Sequence, residues 1–165
     1  MGNRRKQGLC VQFDGKLKLE FHGANVTSDA GLLVFRELDE AFRLTEKGST
    51  LLSDCRHGKN TQHTLLAMSR QSIYGRLAGY EDVNDAERLR VDPAMRRVVG
   101  GRAKEKEAAS MSEMSRFETE MLSSRKNLTA LMNLSGTWID SVHECAPLDK
   151  LILDLDSSVS PAHGD

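Results

Sequence analysis

Leu151-Ile152-Leu153-Asp154-Leu155-Asp156-Ser157-Ser158-Val159 is the stretch on which the reading of this chain turns. It follows Pro147, and its apolar run has the length of a strand, whereas most of the sequence before it has helical spacing. On a strand, residues two apart send their side chains to the same face, so Asp154 and Asp156 leave it together. Carboxylates grouped at the end of an apolar strand suit a hard divalent cation such as Mg²⁺. Ionised carboxylates in an apolar setting are costly unless something pairs with them. A solvent-exposed strand end needs no ligand at all, and spacing alone weighs the two readings evenly. Residues 157–164, with Pro161 and Gly164, read as loop.

Working back from that stretch, the chain is a succession of helices. Two of them, over residues 112–122 and 126–145, are separated by Ser123-Ser124. Before them, Gly100-Gly101 marks a loop, and residues 84–89 and 93–99 read as short helices, the second with proline in its first turn. Residues 61–77 form a longer helix with Leu65, Leu66, Met68, Ile73 and Leu77 available for a core, closed by Gly79-Tyr80. Ser28 is placed to cap a helix through Leu32, Leu33, Phe35, Leu38 and Phe42. Residues 11–22 alternate apolar and polar about Asp14-Gly15, which predicts a short β-hairpin. Phe13, Leu17, Leu19 and Phe21 give that hairpin an apolar face against which the terminal strand is expected to pair.

The 165 residues suit one ordinary domain, and 39% hydrophobic with 28% charged residues describes a soluble globular chain. No apolar run approaches the roughly 18 residues of a membrane span. The basic start Asn3-Arg4-Arg5-Lys6 lacks the apolar segment of a secretory signal. Three distant cysteines, Cys10, Cys55 and Cys145, fit free thiols in a reducing cytosol. The formal net charge of −1 is unevenly spread. Residues 86–106 hold seven basic side chains (Arg88, Arg90, Arg96, Arg97, Arg102, Lys104, Lys106) against three acidic ones, whereas residues 146–165 hold Lys150 against four aspartates. A basic middle and an acidic end fit a protein that grips phosphates in one place and cations in another. A solvated helix face explains the same basic run.

Cys55, His57 and His63 are soft-ligand types, but a structural zinc site takes four ligands in recognisable pairs, and ordinary polar residues are the better reading. Ser112-Glu113-Met114-Ser115-Arg116-Phe117-Glu118 opens a helix capped by Ser110 or Ser112. Hydroxyls, an arginine and free N–H groups at a helix start are what a phosphate or base edge needs. With the helix before Gly100 it allows a helix-turn-helix pairing, although a plain capped surface helix gives the same pattern. Tyr74, Tyr80 and Trp138 read as core rather than as stacking platforms.

Taken together, the strings resemble one family. Gly79-Tyr80-Glu81-Asp82-Val83-Asn84-Asp85-Ala86-Glu87-Arg88-Leu89-Arg90-Val91-Asp92-Pro93 is similar to the GYED-x-x-D-x-x-RLR-x-DP stretch of DDE transposases of the 1380 insertion-sequence family. Arg70-Gln71-Ser72-Ile73-Tyr74 resembles the RQ-x-IYG helix of that family, and Ser115-Arg116-Phe117-Glu118 part of its TLSRFEN segment. Leu151 to Val159 resembles its first catalytic strand. Ser112-Glu113-Met114 departs from the family's usual residues there.

The resemblance implies a mainly α chain in three parts. Residues 1–25 would be a basic arm and small β-hairpin, residues 26–146 a helical DNA-binding region, and residues 147–165 the start of a truncated RNase H-like (α/β) catalytic domain. Asp156 would be the first aspartate of the DDE triad, a catalytic residue and a Mg²⁺ ligand with Asp154 beside it. Such enzymes cut and join DNA by metal-dependent phosphoryl transfer, with two Mg²⁺ held by two aspartates and a glutamate. Nine residues follow Asp156, so the second Asp and the Glu are expected to lie outside this sequence. DNA binding, rather than catalysis, is then expected of the chain alone. The partner would be double-stranded DNA at the element's terminal inverted repeats, with self-association, in the bacterial cytoplasm at the nucleoid. Arg88, Arg90, Arg96, Arg97 and Arg116 are the phosphate-contact candidates. Two rival readings remain open. A haloacid-dehalogenase-type phosphohydrolase would use Asp154 as nucleophile and Asp156 as acid/base, leaving the GYED…RLR string unexplained. A non-catalytic helix-turn-helix DNA-binding protein leaves the acidic strand unexplained.

Overall fold

The computed structural model describes residues 9–19, 29–57 and 61–154. Helix α1 (Leu32–Phe42) and helix α2 (Leu44–Leu51) are joined by one residue, Arg43, in the left-handed conformation at φ 54° and ψ 37°. That conformation costs an L-residue roughly 1–2 kcal/mol, so something must hold the corner. The holder is Asp39. Its buried carboxylate accepts the Thr45 N–H at 2.7 Å and the Thr45 hydroxyl at 2.6 Å, capping α2 from the preceding helix. The Tyr74 hydroxyl donates to the same carboxylate at 3.1 Å from α3 (Leu65–Leu77). Two cations complete the knot: Arg36 lies 3.4 Å and Arg70 3.6 Å from Asp39. Arg36 is 5% exposed and lies over the Phe13 ring at 4.8 Å. Burial and Asp39 push the Tyr74 phenol well above its ordinary value, and burial, followed by the charge of Arg36, pulls Arg70 down.

Helix α3 starts after Thr64, whose side chain accepts the Ala67 N–H at 3.1 Å. It ends where Gly79 takes φ 85°, with Tyr80 N–H returning to the Gly75 carbonyl at 2.9 Å. A 3₁₀ turn (Val83–Asp85) leads into α4 (Ala86–Leu89), and Asp92-Pro93 starts α5 (Pro93–Val99) with the Asp92 side chain capping Met95 at 2.7 Å. Helix α5 is the centre of the molecule: Met95, Val98 and Val99 are essentially buried among Leu32, Leu33, Tyr74, Leu89, Ala103 and Ala108. Gly100, at φ 77° and ψ −165°, turns the chain into a 3₁₀ turn (Gly101–Lys104), a conformation open only to glycine. A second cluster, Met68, Ala86, Ala109, Met114, Phe117 and Met121, lies under α6 (Met111–Arg116) and its π-helical continuation (Phe117–Leu122).

Two buried amides fasten the clusters. Gln71 donates to the Ala109 carbonyl at 2.7 Å and accepts the Ala109 N–H at 2.8 Å, fixing the segment before α6 to α3. Asn127, in the first turn of α7 (Arg125–Cys145), donates to Ser53 and Met121 carbonyls and accepts the Ser53 N–H at 2.7 Å. Further along, the Trp138 indole N–H donates to the Leu44 carbonyl at 2.9 Å. Lys47 donates to the Ser141 hydroxyl at 2.8 Å. Helix α7 therefore lies along α2.

Three expectations need correction, and one helix was not expected. The expected α1 cap, Ser28, lies outside the described residues, and the residue before the helix is Gly31, which makes no side-chain cap. Helix α2 has no counterpart in the sequence reading. Residues 11–17 form a loop rather than strands, residues 20–22 of the expected hairpin lie outside the described residues, and among the described ones pairing is confined to β1 (Leu9–Cys10) against β2 (Lys18–Leu19), in antiparallel register Leu9 with Leu19. The loop is closed by Leu17 N–H on the Asp14 carbonyl and docked by Asp14 on Arg97 at 2.9 Å and Lys104 at 3.3 Å. At the other end, residues 151–154 are neither strand nor paired with that loop. Leu151, Ile152 and Leu153 are 66%, 77% and 75% exposed, because no described element offers them a sheet edge.

Asp39→Ala leaves Arg70 buried without a carboxylate and Arg36 with Glu40 alone, 2.7 Å away, and urea unfolding is expected to show a loss of about 3 kcal/mol. Tyr74→Phe removes one hydrogen bond from the same carboxylate and should cost about 1 kcal/mol. Equal effects from the two variants would mean that Asp39 does not organise the corner. Gln71→Ala leaves both Ala109 backbone groups unpaired, and a loss of about 2–4 kcal/mol is expected in the same assay.

Candidate nucleic-acid interface

Helix α6 is built from a strong start. Ser110 and Glu113 form a reciprocal capping box: the Ser110 hydroxyl accepts the Glu113 N–H, and the Glu113 carboxylate accepts the Ser110 N–H at 2.9 Å. The Met111 N–H donates to Glu87 at 2.9 Å. Three amides at this helix start are thus already taken, which corrects the expectation of free N–H groups there. The side chains carry the chemistry instead. Met114, Phe117 and Met121 face inward, while Ser112, Ser115, Arg116 and Thr119 recur at helical spacing on the outer face. Arg116 is exposed, with its Nε on the Ser112 carbonyl at 3.2 Å. Thr119 gives its hydroxyl proton to the Ser115 carbonyl at 2.8 Å. The helix widens into π geometry from Phe117, a local distortion that often accompanies a functional surface.

Grooves flank this face on both sides. One is lined by Val83, Asn84, Met111, Ser112, Ser115 and Arg116. The other runs past His63, Arg90, Arg102 and Lys106 and also past the carboxylates of Glu107 and Glu113. Arg102 and Lys106 are exposed there and hold no ion pair among the described residues. His63 is 6% exposed, 3.8 Å from the Glu113 carboxylate, and burial pushes its ring toward the neutral form against the pull of Glu113.

The five arginines singled out in sequence fall into two groups. Arg88 is exposed and lies over the Tyr80 ring at 4.9 Å while donating to its hydroxyl, and Arg116 projects from α6. The other three are engaged. Arg90 bridges Glu87, at 3.0 Å, and Glu107. Arg96 donates to the Ala103 carbonyl at 2.8 Å and the Lys104 carbonyl at 3.1 Å, fastening the turn after α5. Arg97 pairs with Asp14. Arg102 and Lys106 belong to the basic run of residues 86–106 but not to those five.

Asp154 is exposed, and Asp156 lies outside the described residues. Among the described residues no group of three His, Cys, Asp or Glu is placed to hold a metal, which includes Cys55, His57 and His63. Cys55 and Cys145 are free and exposed. No helix is long and apolar enough to cross a membrane among the described residues.

Comparison with known proteins bears on this arrangement. No curated protein and no solved structure matches the chain. Residues 10–165 match the family model described as transposase DDE domain, group 1, a range that takes in the helical body, the GYED…RLR string and the Asp-Leu-Asp-Ser-Ser string alike. That span leaves nothing for the haloacid-dehalogenase reading to explain. DDE transposases use divalent metal ions, and the described residues do not by themselves build a site for one. A family match over nearly every residue shows that the chain belongs to the transposase DDE domain group 1 family.

Proposed function

We propose that the helical body binds the ends of an insertion sequence of the 1380 family as double-stranded DNA, with α6 laid against the duplex. The observation that carries this reading is the outer face of α6: Ser112, Ser115, Arg116 and Thr119 point away from a core that fixes the helix on its other side. Serine and threonine hydroxyls meet either base edges or phosphates, and an arginine at the same level reads guanine bidentately. A major groove about 12 Å wide admits such a helix. Arg102 and Lys106 flank it on one side, and with Arg116 and Arg88 they are the proposed phosphate contacts. Arg90, Arg96 and Arg97 reach a phosphate only by leaving their present partners.

Asp156, with Asp154 beside it, is assigned to the Mg²⁺ site of DDE cutting and joining chemistry in an RNase H-like domain. The described residues do not complete that site, so no catalytic step is derived from them. The reading places the protein at bacterial DNA in the cytoplasm and includes self-association.

Binding to a duplex carrying the element's terminal inverted repeats, measured by fluorescence anisotropy across salt concentrations, tests the reading. The logarithm of affinity is expected to fall linearly with the logarithm of salt concentration. Arg102→Ala with Lys106→Ala should flatten the slope by about 0.9 for each phosphate that is no longer neutralised. Ser112→Ala with Ser115→Ala should leave the slope intact and narrow the preference over unrelated DNA. An unchanged slope in the first variant together with unchanged preference in the second contradicts the assignment.

A further inference from the structure

Helix α7 presents two stripes, and the fold uses only one. Asn127, Leu131, Leu134, Trp138 and Ser141 recur in alternating steps of four and three residues and lie along α2, with Asn127 and Ser141 buried and the rest half-buried. Gly48 of α2 makes room for them: a Cβ there would meet Leu134 at 3.2 Å. One residue further on, about 100° around the helix, the same alternation gives Leu128, Met132, Ser135, Ile139 and Val142. The four apolar side chains among them are 48%, 81%, 54% and 38% exposed. Across residues 127–139 the helix carries no charged side chain. A solvated helix face ordinarily carries charge, so this one is built to be covered.

We infer that the outer stripe of α7 pairs with the same stripe of a second copy of the chain, the two helices running antiparallel about a two-fold axis at Ser135. The steps of four and three are the seam of a helix–helix contact, which identifies the occupant as a helix rather than a sheet or a small ligand. An isologous contact needs a self-complementary surface. With Ser135 on Ser135, Leu128 meets Val142 and Met132 meets Ile139, apolar against apolar throughout. The small Ser135 and Gly136 sit at the crossing, where two backbones come closest. Charge sets the direction. The first turn holds Arg125 and Lys126 and the last two turns Asp140 and Glu144, and none of the four has an ion pair among the described residues. Antiparallel packing brings the basic end of one helix to the acidic end of the other and opposes the helix dipoles favourably, whereas parallel packing sets like ends together.

Sedimentation velocity on the 165-residue chain over a concentration series tests the pairing, with circular dichroism as the check on folding. A monomer–dimer equilibrium is expected. Met132→Lys sits at an exposed position, should keep the helical signal, and should weaken the dimer at least about tenfold, the effect of about 1.4 kcal/mol. Met132→Lys with Ile139→Glu should restore it, because each lysine then faces a glutamate of the other copy; in a parallel pair the double variant is worse than the single. Mixing a Leu128→Cys chain with a Val142→Cys chain, both with Cys10, Cys55 and Cys145 changed to serine, should give the mixed disulfide. A wild-type chain that stays monomeric throughout, a dimer indifferent to Met132→Lys, or like-with-like disulfides would overturn the proposal.

Discussion

A single buried carboxylate decides how the first three helices meet. Asp39 takes two hydrogen bonds from Thr45 and one from Tyr74, and balances Arg36 and Arg70. Without it, the left-handed Arg43 corner would lack its cap, Arg70 would lose its carboxylate and Arg36 would keep only Glu40. The hydrogen bonds matter as much as the charge. A buried ion pair roughly breaks even against its desolvation, and this one is made specific by the hydroxyls and the amide that fill its remaining lone pairs. Everything downstream depends on that corner: α2 is the surface on which α7 lies, and α3 carries Gln71, which holds the segment leading to α6.

The corner's support for α6, the helix proposed to meet DNA, is therefore continuous through α3. Gln71 fixes Ala109, Ser110 and Glu113 close the first turn of α6, and Met114, Phe117 and Met121 anchor its inner face. The outward side chains gain orientation from that anchoring without giving up hydrogen bonds to the core. The acidic stretch at the other end of the chain has no such support. Leu151, Ile152 and Leu153 stand exposed, so the described residues hold the outer face of α6 in place but not the carboxylates of the chemistry.

Much of this was legible where the local chemistry of the residues is decisive. Pro93 marked the first turn of α5, Gly79 the end of α3, and Ser110 or Ser112 the start of α6, where Ser110 proves to be the cap, because caps and positive-φ glycines act over a few residues. Helix α2 was invisible because its cap, Asp39, belongs to the preceding helix and Gly48 interrupts its pattern to make room for α7. The alternation in residues 11–17 suggested strands, but Asp14 is held by Arg97 and Lys104, side chains more than eighty positions away. The same long-range pairing hid the role of Arg97, and the turn after α5 hid that of Arg96; a charge count cannot tell either from a free cation. Arg102 and Lys106 sat in the same run and are the ones left open to solvent.

Amide chemical-shift mapping of the chain against duplex DNA tests most directly whether α6 is the surface that meets the nucleic acid. The account predicts perturbations concentrated at Ser112, Ser115, Arg116 and Thr119 and in residues 102–106, with the inner stripe of α7 and the Asp39 corner unmoved. Perturbations centred on α1 or α7, with those of α6 unchanged, would contradict it.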